Sequence, residues 1–393
     1  MPYSSLVFAG ALAFMASVIV SFVIARVIVA TQGWHGRFSL DQSAGIQKMH
    51  AAPTPRIGGA AILAGFVLST PFLHGETFDL AVLILSCGIF AYGAGFIEDF
   101  TKTVRPKVRL SMALLSGAVF TGVSGTLLPL AIPLAPDGAP EWVEWMTIGM
   151  GIFGITVGLA GTSNALNLID GFHGLASGSM IIMSTTIALL AYMEGDLSLA
   201  VVALMFSASV FGFMFVNFPT GKIFLGDGGA YLGGFTIGAL AVLLAARTDV
   251  SAFVSILIMA HPVYETLFSI LRKARRKGAS PMEPDALHLH HLVSRRYARF
   301  LAYGLGRPEM KNALTGLLMW PFSFLAGFMA ILAQGTNIGG ILGLAVFAWF
   351  YGRVYRVASL QRRPFLREWA RRRGWNEAER YSPASSRGLA GRE

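Results

Sequence analysis

Asn164-Ala165-Leu166-Asn167-Leu168-Ile169-Asp170-Gly171-Phe172-His173-Gly174-Leu175-Ala176 sets two asparagines, an aspartate and a histidine between two long apolar runs. Each flanking run is long enough to cross a bilayer as a helix. Polar and ionisable groups at a membrane edge cost free energy unless something pairs with them, so the stretch reads first as a functional site. Asn164 and Asn167 lie three apart and Asp170 continues their helical face, so both amides and the carboxylate point one way. The alternative is polar glue between helices, a common use of asparagine in membranes.

Working outward, the whole chain reads as a membrane protein. Hydrophobic residues make up 54% of it and charged residues 13%, with a mean hydropathy of +0.60. A soluble chain would carry about a quarter charged residues. The fold class expected is all-α, a polytopic helical bundle. Its eleven spans are placed at about 6–28, 57–73, 78–97, 110–130, 145–166, 176–193, 197–217, 230–246, 250–271, 313–333 and 338–357. The first run has no cleavage-like end and reads as an anchor rather than a removed signal peptide. Cys87 is the single cysteine, which excludes an intrachain disulfide framework or zinc cluster; it reads as a small buried hydrophobe. Residues 1–357 are expected to form one transmembrane domain and 358–393 a basic cytoplasmic tail on anionic headgroups. No internal repeat is evident, which argues against a transporter.

The net charge of +10 reflects topology rather than nucleic acid. With the N-terminus outside, segments 31–56, 98–109, 167–175, 218–229, 272–312 and the tail face the cytoplasm. Of 31 Lys and Arg, Arg247 alone then falls in an outer link, while Glu76, Asp79, Asp137, Glu141, Glu144, Glu194, Asp196 and Asp249 lie outside. Trp142 and Trp145 sit beside Glu141 and Glu144 as interfacial anchors.

Every unusual polar cluster falls on the cytoplasmic side. Gln47-Lys48-Met49-His50 precedes Pro53-Thr54-Pro55-Arg56-Ile57-Gly58-Gly59, where the prolines stiffen a loop and the glycine pair opens the second span at a close helix approach. Lys48, His50 and Arg56 are candidates to hold a phosphate, unless these cations only mark topology. Glu98-Asp99 ends the third span, with Lys102, Arg105, Lys107 and Arg109 close behind. Adjacent carboxylates oppose the dipole at a helix C-terminus. A divalent cation or a proton-accepting role would explain them; a solvated charged turn is the alternative.

In Phe224-Leu225-Gly226-Asp227-Gly228-Gly229-Ala230-Tyr231, the glycines would let backbone N–H groups approach a phosphate at a helix N-terminus while Asp227 binds Mg²⁺. A capping Asp in a glycine turn is the alternative. Asp285-Ala286-Leu287-His288-Leu289-His290-His291-Leu292, flanked by Arg295 and Arg296, offers His288, His290 and His291 to phosphate or a leaving group. Zinc is disfavoured by the lone cysteine and the lack of an HExxH pattern. Together these clusters describe a carboxylate-rich, Mg²⁺-compatible site suited to phosphoryl chemistry between a soluble nucleotide compound and a lipid phosphate.

Across roughly residues 30–300 these ordered motifs resemble the polyprenyl-phosphate N-acetylhexosamine-1-phosphate transferase family, glycosyltransferase family 4 in some schemes. The resemblance is carried by Asn164-Ala-Leu-Asn167-Leu-Ile-Asp170-Gly171, Phe224-Leu-Gly226-Asp227, His288-Leu-His290-His291 and Pro55-Arg56-Ile-Gly58-Gly59. Two positions depart from the family pattern. Glu98-Asp99 stands where the family usually has paired aspartates, and His173 where it commonly has a second aspartate. The first departure makes an essential role for Glu98 doubtful, and the second marks His173 as a position that changes sugar or nucleotide contacts.

The resemblance implies transfer of a sugar-1-phosphate from a UDP-sugar to undecaprenyl phosphate, with release of UMP, starting a lipid-linked glycan of O-antigen or teichoic-acid type. It places the chain in a bacterial inner membrane, with Mg²⁺ (or Mn²⁺) on Asp227. Asp99, helped by Glu98, would position or deprotonate the lipid phosphate. Asn164, Asn167 and Asp170 would hold the nucleoside or diphosphate, with Phe224 stacked on uracil beside Gly226. His288, His290, His291, Lys48, His50 and Arg56 would stabilise phosphate charge. A homodimer is compatible with this reading; a nucleic-acid partner is not expected. Two other classes stay open: a transporter or flippase for an anionic solute, for which Glu265 and His261 are the acids and bases within a span, and a silent family member acting as a scaffold.

Overall fold

A computed structural model describes residues 3–41, 53–125, 140–275, 287–360 and 364–374. Lys48 and His50 lie outside the described residues, as do Asp137, Asp285 and the tail beyond Gly374. The helices, in chain order, are α1 (Tyr3–Ala30), α2 (Gln32–Ser39), α3 (Gly58–Ser69), α4 (Gly75–Thr101), α5 (Pro106–Ser124), α6 (Glu141–Ile169), α7 (Leu175–Met193) and α8 (Leu197–Asn217). They continue as α9 (Gly226–Arg247), α10 (Ala252–Ile258), α11 (Ala260–Ala274), α12 (Leu289–Val293), α13 (Arg299–Gly304), α14 (Lys311–Ala333), α15 (Asn337–Leu360) and α16 (Pro364–Arg371). A two-residue antiparallel ladder pairs β1 (Leu40–Asp41) with β2 (Thr54–Pro55) ahead of α3.

The bundle follows the hydropathy closely, with three adjustments. Among the described residues, eight helices are long and apolar enough to cross a membrane. The expected second span is a short apolar helix, Gly58–Phe72 counting its last 3-10 turn. The expected fourth span starts earlier, at Pro106, whose fixed φ suits the first helical position. It carries Lys107 and Arg109 in its opening turn and ends at Ser124 before a left-handed Gly125. The expected ninth span, 250–271, is a correction: α10 and α11 are bent by 80° at Met259. Pro262 explains the break, because a continuous helix would lose its N–H bond to Ile258 and drive the ring into that carbonyl.

The centre of the bundle is α9, with 89% of its apolar window buried, whereas α1 has 17% buried and faces outward. The short links form one end. There Arg247 bonds Asp196 at 2.7 Å and Glu76 at 2.8 Å, and Ser251 bonds Asn337 at 2.6 Å. The Asp196 side chain also caps α8 through the Leu199 amide. Among the described residues, the polar motifs gather at the opposite end. Against that end α16 docks on α13, with Leu366 and Ala370 packed around Phe300 and Tyr303.

Candidate active site

Three backbone hydrogen bonds first bring two distant loops together. The Phe224 amide donates to the Pro55 carbonyl at 2.8 Å, Gly58 to Phe224 at 2.9 Å and Gly59 to Leu225 at 2.8 Å. A side chain at Gly59 would collide with the Gly229 backbone, so the glycine pair is what lets α3 lie against the start of α9. This zipper carries Arg56 to Asp227, its Nη2 2.9 Å from Oδ1, with Nε 3.6 Å from Asp99 Oδ1. Arg109, from the first turn of α5, pairs with the other oxygen of Asp227.

Asp99 arrives from the last turn of α4 and is 1% exposed. Its Oδ1 accepts the Asp227 amide at 2.8 Å and its Oδ2 the Gly228 amide at 2.9 Å. It therefore caps α9 from another helix, satisfying N–H groups that have no partner inside α9. Asp170, the residue that ends α6, accepts the Gly226 amide and also faces Arg56. Withdrawal from water pushes this carboxyl up to about 7, opposed by Arg56 and by the Gly226 hydrogen bond. Of the N–H groups expected to cradle a phosphate near Gly226, those of Asp227 and Gly228 are held by Asp99 in this structure, with Asp170 beside Gly226 itself.

Behind this cluster Asn164 accepts the Tyr231 hydroxyl at 2.9 Å and returns its amide to the Ala160 carbonyl at 2.9 Å. Asn167 is half-buried one turn further on. Glu98 departs from Asp99: its Oε2 accepts the Val104 amide at 2.7 Å and closes the turn that leaves α4. The acidic pair is therefore split between two tasks.

The histidine loop closes the other side. His290 and His291 meet the edge of Phe172 at 5.8 and 5.6 Å, and His173 lies at a tilt over Phe224 at 6.0 Å. His291 is held neutral, pushed down to about 2 by burial first and then by His290, His288 and Arg295.

Comparison with known proteins decides the family. The sequence profile of glycosyl transferase family 4 matches residues 81–245. A Bacillus subtilis (strain 168) protein described as a probable undecaprenyl-phosphate N-acetylglucosaminyl 1-phosphate transferase is 28% identical over 333 residues, 83% of this chain and 87% of that protein. A phospho-N-acetylmuramoyl-pentapeptide-transferase from Desulforamulus reducens is 30% identical over 280 residues, 67% of this chain and 81% of that protein. A decaprenyl-phosphate N-acetylglucosaminephosphotransferase from Mycobacterium leprae is 30% identical over 274 residues, 62% and 67% respectively. The chain belongs to glycosyl transferase family 4.

Among the described residues no three acids, histidines or cysteines form a cage for an ion. Mg²⁺ does not need one, because it is usually held by one or two carboxylates together with substrate phosphates and water. Asp227 stands in the first turn of α9, and Asp170 faces Arg56 and the Gly226 amide at the start of the same helix, so hard oxygens are available there for such an open site. Nε of Arg109 is buried there without an acceptor, a donor that a phosphate oxygen would satisfy.

Some residues of this family-4 site were not singled out from sequence. Arg109 reads as one more loop cation, yet it holds Asp227. Asn217 ends an apolar helix and is 5% exposed. Its oxygen accepts the Gly174 amide at 2.8 Å and its amide donates to the Ile223 carbonyl at 2.7 Å, tying the Asp170 loop to the Phe224 loop. A buried asparagine at a span end is the signal that would have found it.

Proposed function

We propose that this family-4 protein transfers an N-acetylhexosamine-1-phosphate from a UDP-sugar to undecaprenyl phosphate and releases UMP. The observation that carries this reading is the cluster of Arg56, Arg109, Asp99, Asp170 and Asp227 around the first turn of α9. It joins fixed cations to carboxylates at one end of an apolar bundle, where a lipid phosphate and a soluble diphosphate could meet. The relatives described as transferring sugar phosphates to polyprenyl phosphates support the same reaction.

In this reaction an oxygen of the lipid phosphate attacks the sugar-bearing phosphorus, the bond to UMP breaks, and one phosphoanhydride replaces another. A phosphate monoester loses its second proton near pH ~6, so the nucleophile needs no strong base. That agrees with an Asp99 whose two oxygens hold the Asp227 and Gly228 amides, and Asp99 acts by fixing α9. Mg²⁺ or Mn²⁺, held by Asp227 with Asp170, would supply charge neutralisation at the diphosphate. Arg56 and Arg109 present planar forks suited to phosphate oxygens and keep Asp227 oriented before substrate arrives. Asn164, anchored by Tyr231, and Asn167 face the nucleoside side, with Phe224 and His173 as the aromatic surface for uracil or sugar.

The polar end lies in the cytoplasm of a bacterial inner membrane in this proposal, with the N-terminus outside and the C-terminus inside, as the cation distribution supports. Glu265 and His261, which kept a transporter open, belong to the same end of the bundle as the histidine loop. The test is UMP release by the purified full chain with undecaprenyl phosphate and a panel of UDP-N-acetylhexosamines, with the lipid product identified by mass spectrometry. Absence of both products across the panel would overturn the proposal, and uptake of a UDP-sugar into proteoliposomes would favour transport.

A further inference from the structure

The bend at Met259 swings α11 away from α10 and carries Glu265 beneath the histidine loop. Glu265 is 1% exposed. Its Oε1 accepts the Leu289 amide at 2.6 Å and its Oε2 the Tyr351 hydroxyl at 2.7 Å. Nδ1 of His290 lies 3.0 Å from Oε1, and Nδ1 of His288 3.7 Å from it. The His290 contact is within ion-pair range but not in a straight hydrogen bond, and Nδ1 is buried with no other acceptor. Such contacts commonly tighten once substrate is bound.

The neighbourhood restricts what Glu265 can be doing. A structural anchor for the loop needs only acceptors for Leu289 and Tyr351, which a neutral side chain could supply. A buried carboxylate is the more costly choice and calls for a cationic or strongly donating partner. His261, also on α11, turns Nδ1 to Ser323 at 2.8 Å. Arg272 is committed to the Leu287 carbonyl at 2.7 Å and the Tyr355 hydroxyl at 2.6 Å, and Arg295 to the His291 carbonyl at 3.2 Å. His290, stacked on His288 at 5.3 Å and against Phe172, is the ring that shares its face with Glu265.

We propose that Glu265, from the broken ninth span, is a positioning residue that fixes the ring and tautomer of His290 by engaging its Nδ1–H. Nε2 of His290 is then the nitrogen turned away from Glu265: bare, it accepts the proton of a lipid phosphate monoester, and as imidazolium it donates to a phosphate oxygen. A carboxylate can only accept, so the ring nitrogen facing it must carry the hydrogen. The catalytic consequence rests on the function proposed above; the tautomer does not.

Two measurements on the full chain test this. In ¹⁵N-histidine-labelled protein, with the His290→Asn variant giving the assignment, His290 should be Nδ1-protonated. An Nε2-protonated, Nδ1-bare ring in the wild type would overturn the proposal even if the protein released no UMP. With UDP-GlcNAc and undecaprenyl phosphate, Glu265→Gln should lower kcat about 10- to 100-fold, as loss of an orienting partner does, and leave KM within about threefold. In the His290→Asn background the same change should cost less than about threefold more. A full multiplicative loss in that background would mean that Glu265 acts without His290 and would refute the assignment.

Discussion

Asp227 meets two guanidinium groups, one on each oxygen, and this makes it the most informative single residue to change. Asparagine would keep its shape but remove the charge that orients Arg56 and Arg109 and that a cation would need. Asp227→Asn should therefore lower kcat at least about a hundredfold. UMP release measured over a range of Mg²⁺ concentrations is the check, and near-normal turnover would refute the metal assignment. His291 gives a prediction of different kind, with its sign set by burial. Its folded pKa is about 2, while the unfolded ring titrates near the ordinary histidine value of ~6.5. Below that value the unfolded state binds a proton that the folded state does not, so stability falls by up to ~1.4 kcal/mol for each pH unit of acidification. The melting-temperature gap between wild type and His291→Asn should therefore narrow from pH 7.5 to 5.5. A constant gap would show that His291 titrates normally. Comparing the two proteins removes the opposing contribution of Asp170, whose raised pKa favours the folded state as pH falls. At this scale the sequence was readable where polarity was improbable: Arg56, Asp99, Asp170 and Asp227 all stand out against apolar runs and all meet in space. Pairings set by helix phase are not readable, which is why the sequence leaves Arg109 as one of four cations behind the acidic pair and presents Glu98 as a partner of Asp99.

At the scale of elements, the first turn of α9 is held by neighbours rather than by its own residues. Asp99 from α4 and Asp170 from α6 accept its leading amides, so three helices are fixed to one another at the place where Asp227 emerges. Gly226 makes this geometry attainable. Its φ is +75°, and a Cβ there would press on the Arg56 carbonyl and come within 2.6 Å of Asp99 Oδ2. Gly226→Ala should cost roughly 1–3 kcal/mol from backbone strain alone and lower kcat, because Arg56 and Asp99 must both retreat. The experiment is thermal unfolding alongside UMP release; an alanine variant with wild-type stability and rate would refute the packing described. Helix existence was legible throughout, since a run of about 20 apolar residues has few other fates. The broken ninth span was not, although Pro262 was in view, because a proline within a span marks a kink without fixing its angle. The capping of α9 in trans was illegible for a different reason. A glycine-flanked aspartate at a helix start reads equally well as a cap, a metal ligand or a phosphate cradle.

For the whole molecule, the arrangement that matters is the separation of its two ends. Arg247, Asp196, Glu76 and Asn337 close one end with local ion pairs and hydrogen bonds, whereas the described motifs with chemical potential lie at the other. Hydropathy and the cation bias anticipated this division, because both follow from what a bilayer excludes and from where Lys and Arg settle. Sidedness can be tested without activity. Cys87 is the only cysteine and is 1% exposed, so background labelling should be low. Asp249 is exposed in the link after α9, and Thr103 is exposed in the turn after α4. In intact spheroplasts a membrane-impermeant maleimide should label Asp249→Cys and spare Thr103→Cys until the membrane is opened. The reverse pattern would put Arg56, Asp99 and Asp227 on the outer surface. A nucleotide-sugar made inside the cell could not then reach them, and the proposed reaction would fail on topology alone, whatever the geometry of the site.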